Sequence, residues 1–529
     1  MKKIFTFFAL VMGAITVSAE DFTDVLTVDV NGAVSEQKAT ISLNKGENGK
    51  YVFSLKNFVL QAGESSLGVG TIELGNVDTV SGDNGVLTLT TKQSVKIKEG
   101  DDPSVGMWLA TTLLKDVDVP VELVAEKRGS ALYAVIDINL AMMQQIIKVT
   151  FGNGGYQIPN SGFENFHKYT VKMGGAPAPR DFDVYEATSW HSFATSTGSL
   201  AEAANAFASH PFTHKSDITR PGSAGSSSLL ITSASALGIT ANGTVTTGRM
   251  NAGDFDAAST KNHARLDMSL DEKDGNGDPF YAVMNGRPDS IAVWVKFKQG
   301  EAQKDHPYAT ISAAITNGTY YQDPQEENKV YTNVLAKAKN AKIESGGFAW
   351  QRIVIPFEYV NDTVGGKAIL VTISTNADAG KGTVNDTVYV DDAQLVYNAS
   401  LLSAKVKDIA VKLEDGVTEY IVNGISGITA DDVKVVSDGK GAKIEKTLTN
   451  EGGNAVVSVK VTSNDLKTVN VYTFTMPGAL VGVDSPKADA SDKVKAVYDT
   501  LGRKVNATRR GETYIIVYES GKTEKVICR

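Results

Sequence analysis

Short runs in which apolar and polar residues alternate recur along this chain, from Tyr51-Val-Phe-Ser-Leu-Lys-Asn-Phe58 to Gly511-Glu-Thr-Tyr-Ile-Ile-Val-Tyr518. A period of two is the period of a strand with one buried face, so the pattern restricts the fold to β-structure. Glycine punctuates the runs. The 49 glycines outnumber the 14 prolines and fall between the apolar segments, where turns are needed. Asn84-Gly85 is such a dipeptide, suited to a tight hairpin. At 529 residues the chain has room for three or four domains, each with its own core. The reading is all-β, with many short antiparallel strands that close as a barrel or pack as a two-sheet sandwich.

The first residues bear on compartment. Lys2 and Lys3 precede the apolar run Ile4–Val17 and the small-residue site Val17-Ser18-Ala19, the layout of a cleavable export signal. Residues 1–19 are therefore expected to be removed, leaving a soluble mature chain from Glu20 with no transmembrane segment, since no later stretch offers eighteen consecutive apolar residues. The single cysteine, Cys528, rules out an internal disulfide and a lipid anchor at the cleavage site. A net charge of -9 without a sustained Lys/Arg run argues against nucleic acid as a partner.

Four segments follow. Residues 20–152, with the landmarks Val69-Gly70-Thr71-Ile72 and Val149-Thr-Phe-Gly152, resemble the calycin-like barrels found at the front of exported bacterial proteins. That resemblance implies a closed barrel acting as a spacer or holding a small apolar ligand. Residues 153–398 open with Ile158-Pro-Asn-Ser-Gly-Phe-Glu-Asn-Phe166. They continue through Ser189-Trp-His-Ser-Phe193, Asn285-Gly-Arg-Pro-Asp-Ser-Ile291 and Trp350-Gln-Arg-Ile-Val-Ile-Pro-Phe357 to Val388-Tyr-Val-Asp-Asp-Ala-Gln-Leu-Val-Tyr397. This order of blocks resembles a jelly-roll family named for carbohydrate metabolism, related in shape to carbohydrate-binding modules. Residues 399–478, Lys- and Val-rich with polar turns, read as an immunoglobulin-like spacer. A linker from Asp484 to Ser491 leads into Val497-Tyr-Asp-Thr-Leu-Gly-Arg-Lys-Val505, and residues 479–529 resemble the C-terminal sorting domain of type IX secretion. The resemblance implies a partner in the outer-membrane secretion machinery and delivery to the cell surface; Cys528 departs from the apolar residue usual there.

Sugars are read by flat apolar rings together with a few fixed donors and acceptors. Trp190, Trp294 and Trp350 are three of the four tryptophans and all lie in the central segment. Trp350 opens a strand and is expected to pack into the core, and Trp294 alternates with Val293, Val295 and Phe297. Trp190 sits in a Ser/Thr-rich stretch without alternation and is the expected ligand platform. His191, Arg249, Arg287 and Asp289 supply candidate polar contacts, the two arginines serving equally well in structural ion pairs. Glu164, Asp391 and Asp392, on the first and last strands, resemble the carboxylates that hold a structural calcium in carbohydrate-binding jelly rolls. No other cofactor is required. The cluster Asp271, Asp274, Asn276 and Asp278 lacks the glycine and glutamate of a calcium loop and reads as a turn. His210 and His214 lack the intervening glutamate of a zinc protease, and no nucleophile elbow is present. The expected activity is non-catalytic binding of an extracellular glycan. The alternatives are a glycoside hydrolase built on an unassigned carboxylate pair and a structural adhesin or surface scaffold.

Overall fold

The computed structural model describes residues 19–46, 49–62, 65–82, 85–175, 179–236, 238–481, 493–505, 513–519 and 523–527. Residues 1–18 of the expected export signal, Asn84, the segment Asp484–Ser491 and Cys528 lie outside them. Almost every element is a strand, as the alternation requires; among the described residues the longest helix is one six-residue turn, Ala201–Ala206.

The barrel is closed by eight consecutive antiparallel strands: β1 (Glu20–Val30), β2 (Ala33–Lys45), β3 (Tyr51–Ala62), β4 (Ser65–Ser81), β5 (Val86–Val95), β6 (Val119–Arg128), β7 (Ala131–Leu140) and β8 (Gln145–Phe151), with β8 returning to β1. Alternate residues such as Leu26, Ile41, Leu55, Leu123, Ile136 and Val149 point inward and are at most 1 % exposed. Removing each aliphatic side chain of this size from water contributes about 1.5–3 kcal/mol. In β7 burial extends to both faces, from Leu132 to Ile136. Its outward residues Tyr133 and Val135 belong to the core of the next domain, which explains why an apolar run replaces alternation there.

The Tyr133 ring lies 5.0 Å from that of Tyr156, tilted by 48°, and the Tyr156 hydroxyl donates to Glu126 of β6 at 2.8 Å. Gly155, at φ 73°, brings its carbonyl to the Asn285 amide at 2.8 Å; a Cβ there would lie 2.5 Å from the Asn285 side chain. Barrel and sandwich thereby form one compact unit, residues 1–397 with 464–467.

The sandwich has a five-stranded sheet in the order Thr213–Ser216, Ser228–Thr232, Thr387–Val396, Ser290–Lys298, Gln351–Pro356. Facing it is a six-stranded sheet built on Ala309–Thr316, Val334–Ile343 and Ala368–Ser374. Val293, Val295, Phe297, Val388 and Val390 from the first sheet meet Ile311, Ile315, Ile369 and Val371 from the second in a single core.

The second unit, residues 398–463 and 468–529, contains a three- and a four-stranded sheet around Val406, Val433, Val457, Val459 and Phe474. A separate four-stranded sheet follows from Val494–Asp499, Lys504–Val505, Thr513–Tyr518 and Thr523–Ile527.

Candidate functional site

Trp190 is not a platform. Its side chain is 0 % exposed, its ring lies 5.1 Å from that of Phe163, and its Nε1–H donates to the Pro159 carbonyl at 3.1 Å. The reason is local: Ser189 adopts φ 66°, and the Trp190 amide donates back to Ala187, a turn that swings the indole inward. His191 is likewise 1 % exposed, its ring 4.5 Å from that of Phe280. Because the Pro279 carbonyl at 3.3 Å can only accept, Nε2 carries the proton, and burial lowers the pKa and keeps the ring neutral. Arg249 spreads over Phe280 at 4.5 Å and pairs with Glu272, which also takes Arg265 at 2.8 Å. Arg287 pairs with Asp362 and covers Tyr359 at 4.8 Å. Both arginines are engaged in structural ion pairs. Asp289 anchors a strand end, its amide donating to Val396 and its carbonyl accepting from Phe357. These expected sugar contacts fall into separate groups: Trp190 against Phe163, His191 and Arg249 against Phe280, and Arg287 against Tyr359.

The carboxylates expected to share calcium do not fit that role as a set. Glu164 is taken up by the amides of Ser226 and Ser227 at 3.0 and 3.2 Å and by their hydroxyls. Arg220 pairs with Asp392, and its amide donates to Asp391 at 3.0 Å. Among the described residues no group of three or more His, Cys, Asp or Glu side chains is arranged to hold a metal. Asp391 is fully buried, and one of its oxygens lacks a protein partner. Burial, with Asp392 adjacent, pushes its pKa up to about 6. In the acidic turn, Asp274 accepts from Tyr169 and from the amides of Asn276 and Asp278, and Asp278 accepts from Ser189. Protein donors fill those positions.

Trp294 has a different setting. Val293, Val295 and Phe297 are at most 1 % exposed, so Trp294, Lys296 and Lys298 project from the opposite, outer face of the five-stranded sheet. The register sets Lys296 beside Tyr389, and Trp294 between Asp391 and Arg352. The turn Gly346–Phe348 adds a further ring. Gly346, Gly347 and Phe348 all have positive φ, 55°, 69° and 61°, and for a bulky residue such as Phe348 this costs on the order of 1 kcal/mol. The turn is pinned by Ser345 Oγ donating to the Phe297 carbonyl at 2.9 Å and by Gln351 Nε2 donating to Glu344 at 2.9 Å.

The result is a half-exposed group of rings with cations over them. Phe348 and Trp350 stand 6.0 and 6.4 Å from Tyr389, Lys296 Nζ lies 4.3 Å from the Phe348 centroid, and Lys298 Nζ lies 5.1 Å from it. Alongside, the Arg220 guanidinium covers Trp294 at 5.4 Å. Trp350, expected in the core, belongs to this outer group. Tyr389 between Val388 and Val390, and Lys296 between Val295 and Phe297, carried the alternation signal that would have found them. Phe348 and Arg220 carried none.

The family comparison matches residues 19–154 to the calycin-like beta-barrel domain, and the closed eight-stranded barrel is its structure in this chain. No curated protein matches the chain. One solved structure is similar at 9 % identity and a TM-score of 0.14: the M60 catalytic domain with the CBM51-1 and CBM51-2 domains from Clostridium perfringens ZmpB. The match covers 96 % of this chain and 44 % of that one.

Proposed function

We propose that the chain binds an extracellular glycan, without cleaving it, on the outer face of the five-stranded sheet, and that acidic sugars are preferred. The observation that carries this reading is the outer group of Phe348, Trp350 and Tyr389 with Lys296 and Lys298 held over the rings. Rings suit the C–H face of a pyranose, and ammonium groups fixed by cation–π contacts suit a uronate or sulfate group. The resemblance of residues 153–398 to the carbohydrate metabolism family supports the same ligand class. The export signal and the resemblance of the C-terminal block to a sorting domain support a location at the cell surface, reached through outer-membrane secretion machinery. The barrel and the immunoglobulin-like module serve as spacers in this reading.

The test is a glycan array containing neutral and acidic polysaccharide fragments, probed with the full chain and with Trp350→Ala and Tyr389→Ala. Loss of binding by about tenfold in each variant is expected. Undiminished binding by both would remove the face from the site, and release of reducing ends from any bound glycan would replace binding by hydrolysis.

A further inference from the structure

The barrel has an open seam. β2 and β3 pair only from Ile41↔Leu55 to Lys45↔Tyr51, although β2 runs back to Ala33 and β3 on to Ala62. The strands part where β3 is bulged between Leu55 and Phe58 and Asn57 takes φ 54°. Beyond that point each strand is paired on its other side only, β2 with β1 and β3 with β4, so two strand edges face each other across a gap.

Counting on along the ladder, Gln37 and Val59 would be opposite residues, and the Gln37 side chain spans the space to donate Nε2–H to the Val59 carbonyl at 2.6 Å. A side chain bridges where the ladder would place backbone hydrogen bonds, so the two backbones stand farther apart here than paired strands do. The same barrel has a second parting of strands, which closes by re-pairing. β4 and β5 also part, after Asp78↔Thr90, and there Gln93 Nε2 donates to the Gly75 carbonyl at 2.9 Å. There the two strands rejoin with a one-residue shift, Thr71 of β4 and Lys98, just past β5, exchanging backbone hydrogen bonds of 2.7 and 3.0 Å. Between β2 and β3 no such re-pairing occurs among the described residues; Asp102 and Ser104 to Met107, from the connection after β5, line the gap instead.

The open seam is a cleft of about 1040 Å³. Its lining includes the inward residues Leu26, Leu55 and Phe58 and the outward residues Lys38, Thr40 and Lys56. Paired hydrogen bonds between Asn57 and Asp101, 2.7 and 2.8 Å, hold the connection after β5 alongside it.

We propose that this seam accepts an extended peptide segment of a partner protein as an additional strand, apolar residues facing the barrel interior and polar residues facing out. The donors and acceptors come from two backbone edges, so the occupant must itself present a backbone edge on each side; it pairs antiparallel with one neighbour and parallel with the other. Gln37 occupies the position meanwhile and is displaced on binding.

The experiment is selection of a phage-displayed library of random ten-residue peptides on the full chain. A selected peptide is then synthesised with and without N-methylation at alternate residues. Enriched peptides with alternating polarity are expected, losing at least about tenfold in affinity on N-methylation because seam hydrogen bonds are removed. Hydrogen exchange should slow at amides 36–40 and 56–61. Gln37→Ala should bind about threefold more tightly, having lost the internal competitor. No enriched peptide, full affinity after N-methylation, or protection elsewhere in the chain would each overturn the proposal. So would displacement of the peptide by octanoate or a hexasaccharide that leaves those amides exchanging freely.

Discussion

Two regions of the sandwich are made of the same chemistry, aromatic rings beside cations, and differ in what those groups face. Around Trp190, Phe163, His191 and Phe280 the rings are at most 4 % exposed, and Arg249 is spent on Glu272. On the outer face Trp294, Phe348, Trp350 and Tyr389 are half-exposed, and Lys296 and Lys298 sit over a ring. Composition does not separate the two regions; strand alternation and one strained turn do. The comparison predicts that substitutions in the first region act on stability and those in the second on binding.

The largest effect is expected from Trp190→Ala. Removing an indole that fills a sealed site leaves a cavity and strands the Pro159 carbonyl, a loss of about 3–5 kcal/mol. Trp350→Ala, half-exposed, should cost less than about 1 kcal/mol. Urea unfolding of the full chain, followed at the sandwich transition, separates them; equal losses would erase the distinction between the regions.

Next is Glu186, 2 % exposed and bonded to the Ser192 amide, the Ser192 hydroxyl and the Thr195 hydroxyl. Burial outweighs these bonds and pushes its pKa up to about 7. The native state therefore holds this proton more tightly than the unfolded chain. Its contribution to stability is complete below about pH 4.5 and is lost as pH rises through 7. Glu186→Gln keeps the acceptor for Ser192 and can donate to Thr195. It should match the parent protein at pH 4.5 and exceed it by up to about 3 kcal/mol at pH 8. A constant difference in thermal midpoint between the two proteins from pH 4.5 to 8 would refute this origin.

The strands were legible because period two leaves no other structure for these runs, and the barrel's landmarks Val69-Gly70-Thr71-Ile72 and Val149-Thr-Phe-Gly152 fall on β4 and on the end of β8. The site was legible only in part. Trp190 lacks alternation because it follows a turn with Ser189 at positive φ, and the serines and threonines around it hydrogen-bond inward to Glu186. Polar neighbours there marked a buried network instead of a wet groove. Trp294 and Tyr389 alternate visibly, yet whether a sheet face is covered depends on segments remote in sequence. The Arg220 segment covers Asp391, whereas Tyr389 is flanked by Phe348, Trp350 and Lys296. No local pattern around residue 389 carries that information.

Binding changes come third in size. Trp350→Ala and Tyr389→Ala should each weaken glycan binding by about tenfold, roughly 1.4 kcal/mol, while leaving the unfolding midpoint nearly unmoved. Trp190→Ala, measured under conditions where it stays folded, should bind as the parent protein does. A folded Trp190→Ala that loses binding would mean that the two regions communicate, contrary to their separate sets of contacts.

The smallest effect tests the cations. Lys296→Met keeps the aliphatic stem against Phe348 and removes the ammonium held 4.3 Å from the ring, so packing persists while the charge goes. The pair it would form with a sugar carboxylate is exposed, and exposed pairs contribute about 0.2–1 kcal/mol. A two- to fivefold loss is therefore expected for a uronic-acid polysaccharide at low salt, shrinking as ionic strength rises. Carboxyl reduction of the same polysaccharide should abolish the difference between parent and variant. If Lys296→Met weakens binding equally to the acidic and the reduced polymer, the lysine acts by holding Phe348 in its strained turn, and the preference for acidic sugars has to be dropped while the aromatic face stands.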